Sequence, residues 1–459
     1  MRAKPLVLVL LVATAGCTAR RTVGQPTLSV VNDSINLTPR NKVDLLFMID
    51  DSLSMITKQT ELRNRLPGLF QQISDLATMG APASFHIGVV DSDMGAGLNT
   101  ANCKAGGDGG RLRTAASDAS TTPPPANCAG FALSADAPYI DYDSGSGTSN
   151  TGTLGVSDAL SCLASVGDMG CGFEAPLEAV YQALTSPSLN PGFLRDDALL
   201  VVVLLTDEDD CSAPPDTALF ENTPAATATY GVLHSFRCTQ FGITCDGKAL
   251  DGSAVSTTSC TPVVGGPLYD VSRYQALFAA GGLKQSASDV LLVSIAAPPT
   301  PFSVDVSSPC ADQVSVGSCP ILEHSCTGSS NPMFFGDPAV RLHTVMSSTV
   351  NSVEASICDP DYSNAISSLA GAMGARMRAG CLPGAIVDEH DPGCNVTVAG
   401  VDTPRCEVAN APPCWDLVQD QGCPPRLTPG GNAQNLRFTV QGAPLSSVHA
   451  VCPLYEPAP

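Results

Sequence analysis

The sequence predicts an α/β protein: a doubly wound, mostly parallel sheet with Cys-rich insertions and a small C-terminal β-rich module. Three observations predict it. Apolar runs at 43–49, 198–205 and 289–296 are nearly uninterrupted, as buried parallel strands are. These runs alternate with helix-like segments, the mark of an α/β sheet. Two of them stop abruptly at acidic residues, Asp50-Asp51 and Asp207-Glu208-Asp209-Asp210. Ligand sites in open α/β sheets lie just beyond the carboxyl ends of the strands.

The elements follow in order. Residues 18–40 are polar and without periodicity, and read as a tether. A strand at 43–49 leads to a helix at about 55–78, and Ser-Phe-His-Ile-Gly-Val-Val at 84–90 is the second strand. Residues 91–170 are rich in Gly, Ser, Asn and Asp and too long for an ordinary loop, so they read as an insertion pinned by Cys103, Cys128 and Cys162. The helical pattern resumes at Pro176, a residue suited to a first turn. The run 198–205 is the clearest central strand; a Cys-bearing insertion follows at about 211–268, then a helix near 270–282 and the strand 289–296. A third insertion, about 298–337, holds Cys310, Cys319 and Cys326. A helix at 338–349, a short strand at 353–357 and a helix at 361–379 close a body spanning about 41–380. The Pro/Gly-rich residues 381–459 contain six cysteines and read as a disulfide-braced module.

Composition narrows the function. With 44 acidic against 23 basic residues, a net charge of −21, the chain lacks the basic patches that nucleic-acid binding needs. The same charge favours cation binding and solubility. Aromatics make up only 5%, too few for an extended carbohydrate-stacking face. The N-terminus has Arg2 and Lys4, an apolar stretch at 6–13 and Thr14-Ala15-Gly16-Cys17. This reads as a signal peptide over 1–16, too short to span a membrane as a stable helix. Small residues ending in Cys resemble a bacterial lipobox, which makes Cys17 the expected lipidation site; an ordinary secretory signal is the alternative. Thr18 then fits an outer-membrane lipoprotein if the host is Gram-negative. Removing Cys17 leaves 18 cysteines, an even number compatible with nine disulfides in an oxidising compartment. They are scattered, not arranged as paired Cys-x-x-Cys units, which argues against structural zinc.

The first strand runs into Asp50-x-Ser52-x-Ser54, one carboxylate and two hydroxyls on a single loop. Such hard oxygens suit a small divalent cation, which is commonly held by one or two carboxylates and keeps positions for water or a partner. The alternative is a helix N-cap. The central strand ends Thr206-Asp207, and a parallel sheet brings both strand ends to one edge. Together these motifs resemble the metal-ion-dependent adhesion site of von Willebrand factor type A (VWA) domains, whose sheet is Rossmann-like. The resemblance covers about 41–380, interrupted by the three insertions, and is strongest at 43–55 and 198–212. It implies Mg²⁺, with Ca²⁺ or Mn²⁺ as alternatives, held by Asp50, Ser52, Ser54 and Asp207. Two positions depart from the family. Glu208 replaces the usual Gly after the second Asp, and Glu174 stands where a Thr is usual. Glu174 is therefore a further metal candidate, or else an acid favouring the start of the helix at Pro176. Glu208, Asp209 and Asp210 form either a second cation site or a solvated patch; Asp91 and Asp93 face the same edge.

No His-Glu-x-x-His, nucleophile elbow or phosphate-cradling loop occurs. Cys171 reads as a disulfide anchor, Asp388-Glu389-His390-Asp391 as a polar turn, and Trp415 as a packed residue. The expected function is non-enzymatic: a cell-envelope lipoprotein, anchored to membrane by lipid only, that binds a protein or other surface ligand through the cation. Two alternatives remain: an envelope protein whose metal site only stabilises the fold, and a metal-dependent hydrolase.

Overall fold

The computed structural model describes residues 28–34, 40–78, 83–98, 103–307, 319–349, 351–378, 380–382, 384–420, 423, 426–443 and 447–457. The expected signal peptide and Cys17 lie outside the described residues.

Seven strands form the central sheet: β1 Lys42–Ile49, β2 Ser84–Asp91, β3 Ile140–Asp143, β4 Thr148–Ser149, β5 Leu199–Leu205, β6 Val290–Ala296 and β7 Ser352–Ser356. Their spatial order is β7-β6-β5-β1-β2-β3-β4. The five strands from β7 to β2 run parallel; β3 and β4 add an antiparallel edge. Six helices cover the two faces: α1 Ile56–Thr78, α2 Val156–Leu163, α3 Pro176–Thr185, α4 Ser272–Phe278, α5 Val340–Ser348 and α6 Ser363–Met377. Alternate residues of a strand point to opposite faces. Val43, Leu45, Phe47 and Ile49 accordingly pack with α1, α2 and α6, whereas Leu46 and Met48 pack with α3, α4 and α5. The architecture is thus mixed α/β with a mostly parallel sheet, covered on both sides.

Chain order places the site. From β1 the chain steps to β2 on one side, and later to β5 on the other. The strand order therefore reverses between β1 and β5, the point where open α/β sheets form their crevice. Ile49 is in register with Leu205, and the Asp50 N–H donates to the Leu205 carbonyl at 2.9 Å. Asp50 and Thr206 leave the sheet side by side.

Two expected boundaries change. Residues 91–170, read as an insertion, supply β3, β4 and α2, and α2 buries Ala159, Leu160 and Leu163 in the main core. Gly/Ser-rich composition hid short edge strands that bury little of their surface. The presumed tether contains the strand Leu28–Ser34, which pairs antiparallel with Val448–Pro457. The C-terminal module thus uses chain from both ends of the described sequence, and long-range pairing gave no periodic signal in 28–34. The second and third expected insertions are also joined, because Val255–Thr257 and Cys319–Leu322 flank Phe302–Ser307 in one small sheet.

Every cysteine among the described residues is disulfide-bonded. Bridges Cys103–Cys171, Cys128–Cys162, Cys211–Cys238 and Cys326–Cys358 tie loops to the body; Cys381–Cys423, Cys394–Cys452 and Cys406–Cys414 brace the C-terminal module. Such a load is typical of extracellular or envelope proteins, whose compartments are oxidising. No helix among the described residues is long and apolar enough to cross a membrane. Trp415 is packed, stacked on Phe438 and donating its indole N–H to the Thr403 carbonyl. Asp388 caps a turn by accepting the His390 N–H.

Candidate cation site at the carboxyl edge of the sheet

Asp50 is fully buried at the end of β1. Its Oδ1 accepts the Ser52 N–H at 2.8 Å and its Oδ2 accepts the Thr206 hydroxyl at 2.8 Å. Burial, then the charge of Asp207, pushes its pKa from 3.8 up to about 6. The Ser52 and Ser54 hydroxyls lie 3.0 Å apart, adjacent oxygens on the loop that leads into α1. Ser52 makes no side-chain cap to the first turn there, so the N-cap alternative does not describe it.

Asp207 continues from β5 and is also buried. One of its oxygens is ion-paired with Lys58; the other, Oδ1, is buried without a hydrogen-bond partner. Lys58 lies one helical turn beyond Ser54, whose carbonyl accepts its Nζ at 3.3 Å, and Nζ also sits 3.9 Å from the centroid of the Phe335 ring. The Asp337 N–H donates to the Asp207 carbonyl at 2.7 Å, and the Asp337 side chain holds His324 Nδ1 at 2.6 Å. Gln59 fixes the Asp50 loop by donating to the carbonyls of Asp50 and Gly167 at 2.8 and 2.7 Å.

Glu174 is carried on the loop before α3, pinned by Cys103–Cys171 and by the Cys211 N–H, which donates to its carbonyl at 2.8 Å. Its side chain is buried, and burial together with the charges of Glu208 and Asp50 raises its pKa well above the usual carboxylate range. Glu208 is raised to about 8, by burial and then by Asp207, Asp337 and Asp50. Glu174 and Glu208 face each other and line a cavity of about 280 Å³ walled by Phe173, Phe236 and the Cys211–Cys238 bridge.

The other acids of this edge are structural. Asp209 accepts the backbone N–H groups of Arg341 and Leu342 and so caps α5. Asp210 pairs with the buried Arg341 guanidinium at 3.0 Å and accepts the Leu177 N–H at the start of α3. The pair is neither a second cation site nor a solvated patch, because both carboxylates are consumed by helix starts. Asp91 binds Arg113 at 2.7 Å, and Asp93 accepts the Gly95 N–H in its own loop.

The sheet therefore brings Asp50, Ser52, Ser54 and Asp207 to one edge, with Glu174 beside Asp50 and Glu208. Among the described residues no group of three or more His, Cys, Asp or Glu side chains is arranged to hold an ion. Glu174 thus completes no preformed carboxylate cage. The available donors are a mixed set of hard oxygens: two carboxylates and two hydroxyls. They fit a divalent cation by chemistry, and the unpartnered Asp207 Oδ1 is an acceptor that such an ion would satisfy. The sequence reading missed Thr206, Lys58 and Asp51. Thr206 directly precedes Asp207, and Lys58 lies four residues after Ser54, a spacing that shares one helix face. Asp51 is buried against Gly170 and accepts the Ser92 hydroxyl at 3.1 Å.

No family model matches this chain, and no curated protein matches it. Among solved structures it is similar to a von Willebrand factor type A protein from Catenulispora acidiphila, at 11% identity and TM-score 0.25, covering 95% of this chain and 66% of that one. It is also similar to the pilus adhesin SpaC from Lactobacillus rhamnosus GG, at 11% identity and TM-score 0.30, covering 95% of this chain and 44% of that one. A third is the adhesive tip pilin GBS104 from Group B Streptococcus agalactiae, at 8% identity and TM-score 0.28, covering 93% and 80%. The chain spans just under two thirds of the first of these proteins and less than half of the second.

Proposed function

We propose that this chain is a non-enzymatic envelope protein that recognises a protein or other surface ligand through a divalent cation at the carboxyl edge of its sheet. The single observation that carries this reading is the donor set: the two seryl hydroxyls 3.0 Å apart beside the buried carboxylates of Asp50 and Asp207, one oxygen of Asp207 lacking any partner. Asp50, Ser52, Ser54 and Asp207 would hold the ion, Mg²⁺ first and Ca²⁺ or Mn²⁺ as alternatives, with Glu174 as a further ligand. The bound ion would supply an open coordination position for a carboxylate or other oxygen of the partner. The chain's own residues do the rest. Thr206 and the Ser52 amide orient Asp50; Gln59 holds its loop; Leu53, 63% exposed between the two serines, offers an apolar contact beside the polar centre. Attachment to an outer membrane through Cys17 belongs to the same reading.

The test is titration of the disulfide-intact protein with Mg²⁺ and Ca²⁺, wild type against Asp50→Ala, followed by calorimetry and thermal unfolding. Saturable binding that disappears in Asp50→Ala supports the reading. Identical titrations for the two proteins would overturn it. Loss of stability without loss of partner capture would reduce the ion to a structural role.

A further inference from the structure

The carboxylates of Asp50, Glu174, Asp207 and Glu208 cluster at the candidate site, and one lysine is buried among them. Lys58 has no exposed surface, and a lysine is almost never fully buried unless paired. Its Nζ is fixed by three different groups: the Asp207 carboxylate, the Ser54 carbonyl and the face of Phe335. Phe335 is itself stacked on His324 at a centroid separation of 4.3 Å, and His324 is held by Asp337. The ammonium is therefore placed by the loop that bears Ser54, by the β5 edge and by the 324–337 segment together.

We propose that Lys58 is a resident counter-cation, tethered to Asp207, that lets this edge fold and keep its shape without a divalent ion and that opposes the ion's entry. The inference rests on the cation reading above. A positive charge buried within a few ångströms of a ligand carboxylate offsets part of the attraction that a metal would feel there. It also leaves Asp207 only its Oδ1 to offer, the oxygen that has no partner. The consequence is a trade: weak affinity and a metal-independent fold with Lys58, tighter affinity and a metal-dependent fold without it.

The experiment compares the full chain with Lys58→Met, and with Lys58→Met combined with Asp207→Asn, by thermal unfolding in chelator and in millimolar Mg²⁺ or Ca²⁺, and by calorimetric titration with the metal alone. Lys58→Met should be destabilised in chelator, be restored by the divalent ion, and bind it at least about tenfold more tightly than wild type. The double variant, with both charges gone, should be folded in chelator and indifferent to the ion. If Lys58→Met stays unstable in Mg²⁺ and Ca²⁺ while wild type still binds them, the counter-cation role is wrong and the metal reading stands. If the double variant is as unstable as Lys58→Met, the lysine acts through its packed stem and the proposal falls. If no protein responds to either ion, the metal reading falls with it.

Discussion

Asp50→Asn should stabilise the metal-free protein at neutral pH, although it removes a fully buried, doubly hydrogen-bonded carboxylate. The reason is the direction of its pKa, raised from 3.8 to about 6 by burial and then by Asp207. A folded-state pKa above the unfolded one means that folding disfavours the ionised form. The cost is absent at low pH, grows as pH rises through the interval from 3.8 to about 6, and is constant above it. Each tenfold change in proton affinity is about 1.4 kcal/mol, so ionised Asp50 costs on the order of 3 kcal/mol in the metal-free fold. Asparagine keeps one acceptor for the Ser52 amide and presents an amide to Thr206, giving back about 1 kcal/mol. The net gain is then about 2 kcal/mol at about pH 7.5 in chelator, vanishes at about pH 4.5, and reverses to a loss of about 1 kcal/mol at about pH 3. Urea unfolding with disulfides intact measures it. An Asp50→Asn protein less stable than wild type at neutral pH in chelator would mean that the Ser52 and Thr206 hydrogen bonds outweigh the cost of burying the charge, and the reasoning would fail.

Three further outcomes follow from other parts of the edge. Gly170→Ala should destabilise by about 1–3 kcal/mol, since a Cβ there would lie 2.2 Å from Asp51 Oδ1, and equilibrium unfolding reads it directly. Replacing Cys103 and Cys171 by Ala should cost about 2–5 kcal/mol and should weaken any cation affinity that depends on Glu174, because the bridge pins its loop. His324 has its pKa raised by its hydrogen bond to Asp337, so its contribution is full below its unfolded value of 6.5 and is lost as pH rises through the higher folded value. It is partly exposed, so His324→Gln should flatten unfolding free energy against pH over that window by less than about 1 kcal/mol.

The long apolar runs could be read directly. β1, β5 and β6 are covered on both faces, so nearly every residue is apolar whichever side it points to, and the pattern needs no partner to be recognised. Asp50 and Asp207 were legible for the same reason, as abrupt acids at the ends of such runs. What tertiary structure alone decided is how the charges near them are spent. The chain order marks Asp207 as the strand-end acid, but not that it keeps an unpartnered oxygen while Asp209 caps α5 and Asp210 pairs with Arg341. Lys58 reads as an ordinary helix lysine until β5 brings Asp207 and the 324–337 segment brings Phe335 against it. Leu28–Ser34 reads as linker until Val448–Pro457 pairs with it. Hydrophobic burial is written into periodicity along the chain, whereas charge compensation depends on which distant segments meet.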